Sequence, residues 1–152
     1  MELQSAPLFT LRAKLAEERE EIGRTPRGYR VIVKVREGFF EGPRLRGIVI
    51  PGGSDWAVMR PDGVMEVDVR MTLKTDDDAL IYMTYTGIVR RGSEAFAARA
   101  QGIVPDPATM YFRTLPRFET GHERYAWLNT ILAVGVGSLP LDGVDYLVHE
   151  IL

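Results

Sequence analysis

The chain has no cysteine and only two histidines among its 152 residues. Without thiols there can be no disulfide, thiolate nucleophile or cysteine metal site. His122 and His149 are too few, and too far from any acidic ligand pattern, to suggest zinc, so no metal is expected. Long apolar runs are missing too. No stretch approaches the roughly 18 apolar residues of a membrane helix, and the segment from Met1 to Glu21 lacks the apolar core of a signal peptide. A cytoplasmic location without a membrane partner is the expectation. Nor is there an excess of one charge: 19 basic and 21 acidic residues leave a net charge of -2, scattered along the chain. That leaves no basic footprint for a phosphate backbone, and nucleic acid is not expected as a partner.

Other motifs fail on context. Gly52-Gly53 and Gly135-Val136-Gly137 do not sit between a strand and a helix as a dinucleotide fingerprint requires, so they read as turns or barrel bends and no cofactor is expected. Ser54 and Ser93 lie outside any nucleophile-elbow setting, and Ser93 is better placed to cap a helix.

What remains is strong strand patterning in a chain that is 45% hydrophobic, enough for one domain spanning residues 1–152. Phe9, Leu11, Ala13 and Leu15 alternate with polar neighbours, and Tyr29, Val31, Val33 and Val35 do the same. Between them, Ala16 to Gly28 is charged and carries Gly23, Pro26 and Gly28, so it reads as a polar surface loop. Turn signals at Glu41-Gly42-Pro43 and Pro51 to Asp55 bracket short strands at Leu45 to Ile50 and Trp56 to Arg60. The run from Val64 to Lys74 alternates almost perfectly, and Asp76-Asp77-Asp78 forms a hairpin tip before Ala79 to Val89. Ser93 to Ala100 supplies a cap, an acidic first turn and helix formers, ending at Gly102. Strands are expected again at Met110 to Leu115, Tyr125 to Val136 and Val144 to Ile151. Many short strands and one short helix point to an all-β fold. An antiparallel up-and-down-type β-barrel is favoured over a sandwich, because closure removes exposed edges.

Several motifs in order then become recognisable: Phe40 to Gly47, Pro51-Gly52-Gly53-Ser54-Asp55-Trp56, Thr75-Asp76-Asp77 to Tyr82, Tyr111 to Gly121, and Tyr125 to Asn129. Together they resemble the bacterial and fungal UPF0311 family, also called domain of unknown function 3237, over nearly the whole chain. The resemblance implies an up-and-down β-barrel and brings no established reaction. Asp78 departs from the pattern, which more often has glycine after two acidic residues.

On the polar face of Glu66 to Lys74, Asp68, Arg70 and Thr72 project together. A barrel would let Arg46, Arg113 and Glu119 join them. Arginine suits a carboxylate or enolate, so Arg70 and Arg113 are candidate anion stabilisers, with Asp68 and Glu119 as candidate acid and base. The alternative is a solvated or structural ion-pair network. Trp56, Tyr82, Tyr125, Trp127 and Asn129 are candidate pocket-lining residues, with Arg46 as an anion anchor, or else core. Three functions follow. The first is a small-molecule-binding barrel for an anionic or carbonyl-bearing metabolite. The second is an isomerase, cyclase or lyase, and the third a homodimeric interaction protein without a working pocket.

Overall fold

A computed structural model describes residues 1–152 and shows one closed antiparallel barrel of eight strands in sequence order. The strands are β1 (Ser5–Thr25), β2 (Gly28–Glu41), β3 (Arg46–Met59), β4 (Met65–Thr75), β5 (Leu80–Val89), β6 (Phe112–Glu119), β7 (Ala133–Ser138) and β8 (Gly143–Ile151). Pairing of β1 with β8 closes the ring. One helix, α1 (Gly92–Ala100), follows β5, and a 3-10 helix (Glu123–Thr130) follows β6. No helix is long and apolar enough to cross a membrane.

The alternation of β4 decides which face is inside. Met65, Val67, Val69, Met71 and Leu73 are buried, and the charged residues between them point outward. Apolar residues lost from water on one face of every strand drive the closure.

The interior has two unlike ends. At one, Phe9 packs against Phe40 and Phe118 with ring centroids 5.5 and 5.8 Å apart, and Leu128 of the 3-10 helix is fully buried, so this end is plugged. At the other, α1 sits beside the mouth of a cavity of about 300 Å³.

Four local expectations are corrected. Ala16 to Gly28 is mostly strand: β1 runs on to Thr25 and turns into β2, forming a long ribbon whose far half lies largely in solvent. A ribbon with two wet faces has no apolar face to show in the sequence. Pro51 to Asp55 is a bulge inside β3, where the register with β4 shifts between Ile50 and Ser54. Gly52 there adopts φ 121, a conformation that favours glycine. Tyr125 to Thr130 belongs to the 3-10 helix, so Tyr125, Trp127 and Asn129 do not share a strand face. The N-cap of α1 is Arg91, in the left-handed region without a side-chain cap, and Ser93 lies within the first turn.

Candidate functional site

The cavity occupies the α1 end of the barrel. Its walls are the inward apolar residues of β2, β3, β4 and β8, such as Val33, Ala57, Val67, Val69, Met71 and Val144. Among these walls stand the polar side chains of Asp55, Tyr85 and Tyr146, and Arg19, Glu21, Tyr29, Ser93 and Arg99 complete the polar part of the lining.

Asp55 reaches the lumen because it shares the inward phase of Val49 and Ala57 along β3, which the β3 bulge leaves intact. The two residues that β3 gains over β4 between the Val49–Leu73 and Asp55–Val69 pairs bring Asp55 opposite inward-facing Val69. Gly53 makes this possible by close approach, since a side chain there would stand 2.4 Å from the Arg70 carbonyl oxygen. The Asp55 carboxyl accepts the backbone N–H of Asp68 at 3.0 Å. It faces the cavity but is surrounded by protein, and burial pushes its proton affinity up to about 7. The Asp68 N–H lowers it, the Asp68 carboxylate raises it, and Arg30 lowers it, each by less than burial does.

Tyr85 and Tyr146 meet edge to face with centroids 5.2 Å apart, and Phe112 packs edge-on to Tyr146 at 5.3 Å. Burial raises both phenols, that of Tyr146 well above the ordinary range, so both keep their protons at neutral pH. The charge of an ionised Asp55 raises them further, which places the three groups in one electrostatic unit. Deep in the lumen, a carboxyl poised between its two charge states thus stands with two neutral hydrogen-bonding phenols. Such a set can lend a proton, take one back and stabilise an oxygen on which charge develops.

The residues singled out in the sequence lie elsewhere. Asp68 and Arg70 are on the outer face of β4, 3.8 Å apart, and Arg70 lies 5.0 Å over the Trp56 ring. Arg113 shares an outer groove with Trp56 and Asp68 and donates to the Phe112 carbonyl at 2.9 Å. Tyr82 and Glu119 are register partners on the outside of β5 and β6. The others gather at the plugged end. Arg46 pairs with Asp76 at 2.7 Å, the Tyr125 hydroxyl donates to Asp77 at 2.7 Å, and Trp127 carries the Arg44 guanidinium at 3.7 Å. Asn129 both accepts from and donates to the Thr120 backbone, at 2.9 and 3.0 Å. None of them lines the lumen.

Asp55, Tyr85 and Tyr146 escaped the sequence reading. For Tyr85 a signal existed, since it continues the inward phase of Ile81 and Met83 along β5. For Asp55 it did not, because the glycines before it read as a turn.

The family model described as "Protein of unknown function (DUF3237)" matches residues 3–151. The chain belongs to the DUF3237 family. A UPF0311 protein from Rhodopseudomonas palustris is 34% identical over 150 residues, covering 99% of this chain and 97% of the relative. Another from Clostridium acetobutylicum is 37% identical over 114 residues, 74% of this chain and 72% of its own length. Among solved structures, a conserved protein of unknown function from Rhodopseudomonas palustris superposes with a TM-score of 0.91 at 34% identity, covering 100% of this chain and 99% of that one. A β-barrel-like protein from Acinetobacter baumannii does so at 0.87 and 33%, covering 100% and 98%. An enzyme from Penicillium herquei shares the fold at 0.72 and 20% identity, covering 99% and 95%.

Proposed function

We propose that this DUF3237 barrel is a proton-transfer enzyme acting on a small, mostly apolar organic molecule held in the lumen. Asp55 carries the proton, and Tyr85 and Tyr146 hold the substrate oxygen nearest to it. The observation behind this reading is the position of Asp55: a carboxyl raised to about 7 in a mostly apolar cavity. A group whose proton affinity lies near neutral pH is effective both as acid and as base, whereas an unperturbed aspartate would be a poor acid. The apolar walls keep water from competing for the proton. An enolisable ketone or an electron-rich olefin fits these demands, so the reaction class is isomerisation, cyclisation or addition by protonation. The acid–base role drawn from the sequence for Asp68 or Glu119 passes to Asp55, the carboxyl that faces the cavity. The enzyme from Penicillium herquei lends the fold a precedent for catalysis.

A panel of cyclic ketones and electron-rich olefins incubated with the protein in deuterated water tests this. Hydrogen exchange at carbon is expected for at least one member, and Asp55→Asn is expected to lose it by about 10²-fold or more. Exchange that is equal in the variant, or absent throughout the panel, contradicts the proposal.

A further inference from the structure

The cavity mouth carries two cations that the reaction proposed above does not use. Arg19, on the outer half of β1, and Arg99, in the last turn of α1, both line the cavity and flank one ring. Their guanidinium carbons lie 6.0 and 5.5 Å from the centroid of Phe96. Three carboxylates lie nearby, Glu21 in the cavity lining itself, and each has a partner of its own. Lys34 holds Glu20 at 3.1 Å, the Tyr29 hydroxyl binds Glu21, and Arg12 holds Asp142 at 3.5 Å.

Arg99 is anchored without being neutralised. Its Nη2 donates to the carbonyls of Pro140, Leu141 and Gly143 at 2.7, 3.1 and 3.3 Å, while its Nε is buried without a partner. Carbonyl dipoles fix the orientation of a guanidinium but leave its charge in place. Burial lowers the proton affinity of Arg99 and the like charge of Arg19 lowers it further, outweighing the opposite effect of the Asp142 carboxylate. Two cations brought together beside an apolar cavity, one with a spare N–H, make a receptor for an oxyanion, which would relieve the repulsion and satisfy the orphaned donor.

We infer that Arg19 and Arg99 form an anion-binding subsite at the mouth, and that the natural ligand is an amphipathic organic acid. Its carboxylate lies between the two guanidiniums, its apolar body fills the lumen, and its opposite end reaches Asp55. This rests on the lumen being the reaction site as proposed above. It also sets the polarity of entry: the charged end cannot lie at the floor, where an ionised Asp55 would repel it.

Displacement of the neutral fluorophore N-phenyl-1-naphthylamine by 2-naphthoate and by its uncharged isostere 2-naphthamide tests the subsite. The wild-type protein is expected to prefer the naphthoate by roughly tenfold, the margin of a charge-assisted hydrogen bond. Arg19→Gln, at an exposed position outside the hydrophobic core, is expected to cut that preference several-fold while affinity for the uncharged fluorophore stays within about twofold. Arg99→Gln should do the same if folded, but Arg19→Gln alone suffices. Equal displacement by acid and amide, or a preference that survives Arg19→Gln, overturns the subsite. Failure of the reaction proposal reads differently: the acid preference would hold, and Asp55→Asn would leave carbon exchange unchanged. No uptake of the fluorophore by folded protein would overturn the lumen on which both rest.

Discussion

The backbone N–H of Asp68 donates to the carboxyl of Asp55 at 3.0 Å, so the two aspartates face opposite sides of the same wall. The amide favours the ionised form of Asp55, while the Asp68 carboxylate beyond it favours the protonated one. An outer residue thereby tunes an inner one through the thickness of a single sheet. Asp68→Asn keeps the amide and removes the charge. The Asp55 proton affinity is expected to fall, read as a carboxyl titration shifted to lower pH, and an unchanged titration would contradict the coupling.

Stability should carry the mark of the same group. The unfolded chain releases the Asp55 proton near its ordinary value of 3.8, whereas the native chain holds it to about 7. Across that window the unfolded state binds fewer protons, so the contribution of Asp55 to stability is present at low pH and is lost as pH rises from about 4 to about 7. In Asp55→Asn this component should vanish. The variant is expected to gain melting temperature relative to wild type at pH 8 and to show a smaller difference at pH 4.5. A difference that is constant with pH would contradict the burial of the carboxyl.

Gly137 is held to glycine by the lumen floor. A methyl group there would stand 2.4 Å from Phe112 Cδ1, and Phe112 supports Tyr146. Gly137→Ala is expected to destabilise the fold by about 1–3 kcal/mol in urea unfolding and to disturb the Tyr146 ring as well. A neutral effect on both would mean that the floor is softer than its packing indicates.

The two ends of the barrel should respond differently to substitution. Phe9→Ala removes the ring between Phe40 and Phe118 and is expected to cost about 3–5 kcal/mol while leaving uptake of N-phenyl-1-naphthylamine intact. Ala57→Trp, inside the lumen, is expected to block uptake in a protein that remains folded. Loss of uptake in the first variant, or its persistence in the second, would place the ligand outside the lumen.

How much of this was legible in the sequence depended on whether each segment has one dry face. β4 does, and its alternation from Val64 to Lys74 announced both strand and barrel wall. The far half of β1, from Ala16, has two wet faces and showed only charge. Tyr125, Trp127 and Asn129 combine aromatic and polar character in a way that suits a strand, yet they fold as a 3-10 helix tied down by bonds from Tyr125 to Asp77 and from Asn129 to Thr120. The candidate lumen site was the least legible. Charged residues drew attention because they are easy to see, and in a small barrel with an apolar interior nearly all of them lie outside. The carboxyl that stands beside Tyr85 and Tyr146, that of Asp55, follows a proline and two glycines, where bulge and turn look alike.

The most direct test is a carbon-detected NMR titration of the Asp55 carboxyl in the intact protein, assigned by comparison with Asp55→Asn. A midpoint near 7 is predicted, with the carboxyl still protonated well above the ordinary aspartate range. A midpoint near 3.8 would show a solvated carboxylate and would remove the proton carrier on which the proposed chemistry depends.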